Sequence, residues 1–366
     1  MRRRRHRVAR ESAQGPTVVR DAPSRFLHLI VAGYPRRPDV PIVQVGRQDL
    51  PDVSKSSQYC ILVPGSTRME GVHMEAQTVL VAGATGYMGR YLVRELHQRG
   101  YRVRALVRSR DRAEGSGAFG APALSGLVDE WVIGDIGDRS TIPGLCHGVH
   151  RVVSALGVTR QRADPWDIDF QANLRLLQLA EQDSVSSFLF VNVMHVHEGT
   201  SMVMRSKAAF VEALRRSEVA SQIVDPSGYF SDASEFLDMA RRGLAFGLGA
   251  GTARLNPIHG ADLAAFCVDR LGDESGEWNV GGPDIYRYRD IVNLAFAAVG
   301  KRPRMVSVPV GFVRPVIWTA DRMGPRPSSL ARFFLEGLQR ESVGEQTGTH
   351  HLSDYFRDLA SADQGS

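Results

Sequence analysis

Downstream of residue 77 the apolar positions fall into two alternating kinds of segment. Short, mostly apolar runs of strand length occur at Thr78–Ala82, Val103–Val107, Glu130–Ile133, His150–Ala155, Ser187–Val193 and Ser221–Val224. Between several of them lie stretches whose apolar residues recur every three or four positions. One holds Met88, Leu92, Val93 and Leu96; another, Ile168–Gln182, holds Phe170, Leu174, Leu177 and Leu179; a third spans Met202–Arg216. Continuous apolar strands need cover on both sides, and intervening amphipathic helices supply it, so the alternation predicts a parallel sheet with helices on each face. The expected fold class is α/β, a doubly wound parallel sheet with a small C-terminal lobe.

That lobe is expected from helices at Glu235–Arg241, Ala261–Leu271 and Asp290–Val299, a strand at Glu277–Val280, and a glycine-rich turn from Gly247 to Gly251. Helices at Val310–Arg322, Ser328–Leu338 and Leu352–Leu359 would pack on it. The chain thus divides into a leader (1–75), an α/β body carrying the lobe (76–310) and a helical extension with a polar tail (311–366). Phe230, Phe236, Met239 and Phe246 either line an apolar substrate pocket or form the lobe's own core.

The join between the first strand and the first helix carries Gly83, Gly86 and Gly89 at three-residue spacing. In such a turn one glycine bends the chain, one lets backbone N–H groups approach a pyrophosphate, and one lets the helix lie close to the strand. The phosphates sit on the helix N-terminus, where unpaired N–H groups and the helix dipole favour an anion. Strand, turn, helix and second strand fall in register, which predicts a dinucleotide site. Arg108 ends the second strand, where an acidic residue would bind the 2′-hydroxyl of NAD; a guanidinium suits a 2′-phosphate, so NADP(H) is the expected cofactor. The other reading of Arg108 and Arg110 is a pair of solvated loop charges. Asp135 and Ile136, after the third strand, are placed to meet the adenine, although Asp135 could equally cap the next helix. Ser154, Ala155, Leu156 and Gly157 are small enough to let a cofactor cross the end of the fourth strand.

Charge changes the picture only at the leader. The sequence pI of about 9.3 could suggest a nucleic-acid partner. Residues 1–73, however, carry 13 Lys/Arg against 6 Asp/Glu, while the remainder carries 32 against 34. The body therefore has no compositional support for a basic nucleic-acid groove. The leader, opening MRRRRHRVAR, lacks the apolar stretch of a secretory signal and is expected to be disordered; Met74 lies four residues before the first strand, where such a domain would begin. Cys60, Cys146 and Cys267 are scattered, which argues against a disulfide framework or a zinc site and fits a reducing cytoplasm. No window is long and apolar enough to span a membrane.

With these residues in view, the chain resembles the short-chain dehydrogenase/reductase superfamily, in its atypical NmrA-like and isoflavone-reductase-like branch, which also holds divinyl-reductase-like enzymes. The resemblance covers roughly residues 76–310. It rests on Gly83-Ala84-Thr85-Gly86-Tyr87-Met88-Gly89, Gly134-Asp135, Ser154-Ala155-Leu156-Gly157, Asn173, Lys207, Pro226-Ser227-Gly228-Tyr229-Phe230, Asn256-Pro257-Ile258-His259 with Asp262-Leu263-Ala264, and Gly281-Gly282-Pro283. It implies a Rossmann-type fold binding NADP(H) through Gly83, Thr85, Gly86, Tyr87, Met88, Gly89, Arg108, Asp135, Ile136, Ala155, Leu156, Gly157, Lys207 and Pro226. Ordinary members pair a Tyr with a Lys four positions later, and place a Ser or Thr after the fifth strand. Here Val203 stands four before Lys207, and Asn192-Val193-Met194 replaces the hydroxyl residue.

The resemblance implies an NADPH-dependent reductase of a small, largely apolar or aromatic molecule, monomeric or dimeric, with Lys207 assisting proton movement. The alternatives it leaves are a redox sensor or assembly factor that binds NADP(H) without turnover, and an epimerase that retains its cofactor. Tyr229 reads either as a substitute proton donor or as a pocket wall, and His195 and His197 as donors or solvated loop residues. His259 and Asp262 read as a capping pair before a helix.

Overall fold

The computed structural model describes residues 59–60, 71–72, 76–138, 142–158, 163–323, 332, 335–337 and 340–362. The chain separates into two units, Met1–Met74 and Glu75–Ser366. In the first, Tyr59–Cys60 pairs antiparallel with Gly71–Val72; the expectation of a disordered leader otherwise lies outside the described residues.

The second unit is built on strands β1 (Thr78–Ala82), β2 (Arg102–Val107), β3 (Glu130–Ile133), β4 (Arg151–Ser154), β5 (Ser187–Val191), β6 (Ala220–Pro226), β7 (Ala245–Leu248), β8 (Gly276–Gly281), β9 (Met305–Val308) and β10 (Glu345–Gln346). Its longer helices are α1 (Tyr87–Gln98), α2 (Asn173–Gln182), α3 (Met202–Arg215), α4 (Phe230–Arg242), α5 (Gly260–Asp269), α6 (Tyr288–Ala298), α7 (Val313–Met323) and α8 (Leu352–Ala362). Eight strands form one sheet in the order β10-β8-β6-β5-β4-β1-β2-β3, every neighbouring pair parallel. This is the doubly wound arrangement that the hydrophobic pattern predicts. Chain order reverses between β1 and β4, whose last residues Ala82 and Ser154 stand side by side. The crevice outside the carboxyl ends of these two strands is where such sheets take ligands.

Alternate residues of β1 feed opposite cores. Val79 and Val81 pack with Leu92 and Leu96 of α1 and with Leu263 and Cys267 of α5. Leu80 and Ala82 face Leu176 of α2 and Phe210 and Leu214 of α3. A third core, in the lobe, gathers Phe230, Leu237, Phe296 and Phe356 from α4, α6 and α8. Each such fully buried side chain contributes about 1.5–3 kcal/mol relative to exposure.

Three segments differ from the sequence pattern. The glycine-rich run expected as a turn at 247–251 begins inside β7, which pairs with β9; neither strand was predicted, because each is four residues long and is specified by its pairing with the other. The helix expected from Ile168 opens as a widened π-helical turn, Trp166–Ala172, before α2. The expected extension after 310 supplies β10 to the main sheet and Phe356 to the lobe core. The helix expected at Ser328–Leu338 lies largely outside the described residues.

Candidate active site

The glycine turn is fixed by close approach. Gly83 has φ +78°, and the Gly86 N–H donates to its carbonyl at 3.0 Å. A Cβ on Gly83 would lie 2.8 Å from the carbonyl carbon and oxygen of Ala155 at the end of β4, and one on Gly89 would lie 2.1 Å from the Gly83 oxygen. Only hydrogen fits at either position. Gly86 caps α1 without a side chain, and the first turn, containing Tyr87, Met88 and Gly89, holds no acidic residue, so the helix N-terminus is built for an anion. Thr85 is exposed on the same turn. A cradle that a methyl group would fill, at the switch point of the sheet, fits a dinucleotide pyrophosphate.

Sequence reasoning missed the residue that braces this cradle. Arg90, only 4% exposed, donates to five backbone carbonyls: Thr85 at 3.1 Å, Arg112 at 3.0 Å, Ala113 at 3.1 Å, Gly115 at 2.7 Å and Pro122 at 2.8 Å. It ties α1 to the segment that follows β2. Burial pushes its pKa down. At the mouth of that segment Arg108 is exposed, whereas Arg110 pairs with Glu114 at 2.8 Å and lies over the Trp131 ring at 5.6 Å. The Asp135 carboxylate accepts the Gly137 N–H at 2.8 Å, closing a turn, and Ile136 is buried with its carbonyl taken by Arg175.

Past β4 the half-buried Ala155, Leu156 and Gly157 form the crevice wall. Behind them Ser154 Oγ donates to Asn173 Oδ1 at 2.6 Å, and the Asn173 amide donates to the carbonyls of Ile168 and Asp169 at 3.2 and 3.0 Å, occupying the widened turn. That turn aims Asp169, fully buried, at Lys207 of α3: Nζ lies 2.8 Å from Oδ1, while Oδ2 accepts the Val158 N–H at 3.2 Å. Burial pushes the Asp169 carboxyl upward, and the Lys207 ammonium and the Val158 N–H oppose it. The ammonium also sits 5.1 Å from the centre of the Phe190 ring. Val203, at the position four before, is buried and carries no hydroxyl.

The remaining candidates lie elsewhere. Pro226 is buried at the end of β6. The Tyr229 ring packs edge-on against Tyr87, with centroids 6.1 Å apart; burial pushes its hydroxyl upward, and the nearby Asp232 and Cys267 add to the shift. Among the described residues no hydrogen bond or ion pair joins Tyr229 to Lys207. His195 is engaged by Glu198 at 3.2 Å and by the Glu341 carbonyl at 2.8 Å, and His197 is exposed beside Arg215.

The expected capping pair divides. His259 caps α5, its Nδ1 accepting the Ala261 N–H at 3.3 Å, and burial pushes its pKa down to about 4. Asp262 instead accepts the N–H groups of Thr349 and His350 and meets the His350 ring at 2.8 Å. Asn256 is a brace: its amide donates to the carbonyls of Gly282 and Gly344, and its oxygen accepts the Gly344 N–H. Asn192, the first residue of the Asn192-Val193-Met194 stretch, donates at 2.7 Å to the buried Asp225, whose pKa is pushed up to about 7 by burial.

A parallel sheet in this strand order, a glycine cradle at its switch point and a buried lysine along the same crevice define an NAD(P)H-binding oxidoreductase. The chain belongs to the NAD(P)H-binding family, whose model matches residues 83–274. It is 28% identical over 355 residues to the chloroplastic divinyl chlorophyllide a 8-vinyl-reductase of Zea mays, covering 93% of this chain and 84% of that protein. It is also 28% identical to the ceramide reductase of Caulobacter vibrioides, over 69% of this chain and 78% of that one. The fold matches the Escherichia coli NADPH-dependent quinone oxidoreductase QOR2 in complex with NADPH, at TM-score 0.57 and 14% identity, over 77% of this chain and 99% of that one. The resemblance to the atypical short-chain dehydrogenase/reductase superfamily therefore holds, and the chain is an NAD(P)H-dependent reductase of that type. Among the described residues no helix is long and apolar enough to cross a membrane.

Proposed function

We propose that this protein uses NADPH to reduce a carbon–carbon double bond conjugated to a small, largely apolar ring system. The observation that carries the reading is the combination at the ends of β5 and α3. Lys207 is retained beside Gly157, while Val203 is buried where the resemblance expects a Tyr, and the Asn192-Val193-Met194 stretch offers no hydroxyl, its Asn192 being committed to Asp225. Reducing a ketone creates an alkoxide that needs an acid held against one oxygen. A conjugated alkene spreads the developing charge over the ring, so a nearby fixed cation suffices and water can deliver the proton.

Bound at this site, the dinucleotide supplies the hydride. Gly83, Gly86 and Gly89 with the N–H groups of Thr85, Tyr87 and Met88 hold its phosphates; Asp135 and Ile136 flank the adenine; Ala155, Leu156, Gly157 and Pro226 wall the crevice; Lys207 orients the ribose. Arg108, exposed at the end of β2, favours the 2′-phosphate of NADPH over NADH. The lobe takes Phe230, Phe236 and Met239 into or against its own core, so of the four residues only the exposed Phe246 supports an apolar substrate. Because the match to the vinyl reductase extends along almost the whole chain, a vinyl-bearing conjugated ring is the substrate class assigned. Tyr229, packed on Tyr87, serves as a wall in this reading. The free, buried Cys146 and Cys267 suit a reducing compartment such as the cytoplasm.

The test is transfer of deuteride from 4-deuterated NADPH to a vinyl-bearing aromatic macrocycle, read by mass spectrometry as one deuterium in the ethyl product. Loss of both hydroxyl positions also favours a second reading, a dinucleotide-binding sensor or assembly factor. Tight NADPH binding with no label transfer across enones, quinones and vinyl arenes would establish that one instead.

A further inference from the structure

Of the 45 basic residues in the chain only three are lysines, Lys55, Lys207 and Lys301. Arginine has been used almost everywhere that a positive charge is needed, so a lysine in the cofactor crevice marks a place where a guanidinium does not serve. The geometry gives the reason. A Cβ on Gly157 would lie 3.0 Å from Lys207 Nζ and 3.1 Å from Asp169 Oδ1, and the Phe190 ring closes another side. The slot accepts a compact ammonium and excludes a planar fork.

We propose that Asp169 is the positioning residue of this site: it pins the Lys207 ammonium beside Gly157 and makes it a fixed cation, not a source of protons. The inference rests on the reading of Lys207 given above and goes further in assigning its partner and its role. Three observations carry it. Asp169 is fully buried, and its two oxygens are divided between Lys207 Nζ at 2.8 Å and the Val158 N–H at 3.2 Å. The backbone that presents it departs from α-helical geometry for one widened turn, a deviation that clusters at functional sites, and Asn173 holds that turn by bonding the carbonyls of Ile168 and Asp169. Finally, a proton taken from Lys207 would strand the fully buried Asp169 carboxylate without its counter-charge, and breaking a buried pair from one side is strongly unfavourable. The proton that completes reduction therefore comes from water reaching the substrate, and Lys207 acts through charge and hydrogen bonding alone.

The test compares Asp169→Asn, Asp169→Glu, Lys207→Ala and the Asp169→Asn/Lys207→Ala double variant of the full chain. It measures NADPH affinity by fluorescence titration and melting temperature by calorimetry. Both single neutralising variants should weaken NADPH binding about tenfold or more, the double variant should be no weaker than Lys207→Ala alone, and Asp169→Glu should recover most of the loss. In protein labelled with 15N-lysine, the Lys207 ammonium, one of three, should give a slowly exchanging signal that disappears in Asp169→Asn. Additive effects, or wild-type affinity and an unchanged ammonium signal in Asp169→Asn, would overturn the proposal for Asp169 while leaving Lys207 in place. Wild-type affinity in Lys207→Ala would instead overturn the reading beneath it. Should Asp169→Asn fail to fold, Asp169→Glu decides: a folded protein with the signal and affinity retained supports the carboxylate's role, and loss of both overturns it.

Discussion

In the function proposed above, the β1–α1 end of the crevice and its β5–α3 end hold the dinucleotide by different means. At the first, recognition is by backbone: N–H groups at a helix start, glycines with no room for a methyl group, and Arg90 stitching the surrounding carbonyls together. At the second it is by side chains, one buried ion pair set among residues that lack the hydroxyls expected there. Backbone recognition allows almost no change of residue, whereas side-chain chemistry can be removed and replaced on an intact scaffold. In the proposed reading the first end therefore tolerates the least substitution, and the second is where the chemistry can vary.

The contrast can be broken most forcefully at Gly89. Gly89→Val would drive its side chain into the Gly83 carbonyl, and NADPH binding should fall below detection in fluorescence titration, with a lower melting temperature; retained affinity would show that the cradle is not rigid. Arg90→Lys comes next. One ammonium cannot span five carbonyls, so denaturant unfolding should show a loss of about 3 kcal/mol, with weaker NADPH binding, on the scale of charged hydrogen bonds.

His259 sharpens the comparison with the helix behind the cradle. Its folded pKa is near 4 against 6.5 unfolded, so the unfolded chain binds more protons between those values, and stability falls as the pH drops through that window. In His259→Asn, which keeps a capping side chain, the melting temperature should decline less between pH 6.5 and 4 than in the parent. The smallest effect is expected from Tyr229→Phe, which should leave kcat within about twofold at constant fold; a hundredfold loss would return the proton-donor role to that hydroxyl.

The parallel sheet and the glycine turn were legible because each depends on local pattern: continuous apolar runs, helical spacing, and glycines where backbones touch. Arg90 was not, since an arginine inside an amphipathic helix looks like any solvated charge until residues 112–122 fold over it. Asp169 was hidden in the same way, as one acid in the helical pattern from Ile168, and nothing local signals that Asn173 would widen its turn. Nor did β7 and β9 show themselves, because each short strand is specified by the other across a long stretch of sequence. Lys207 was legible as a candidate, but its partner came only from the third dimension.

The last strand has a consequence for biosynthesis. β10 pairs with Val280 and Gly281 at the end of β8, and the same segment supplies Gly344 to the Asn256 amide and the Thr349 and His350 amides to Asp262. Until those residues have left the ribosome, the backbone groups at the end of β8 and two polar anchors stay open to water and to other chains. Products that stop short of residue 344 will therefore be stickier than chains that extend past it, and the emergence of residues 344–350 is the step that covers these groups.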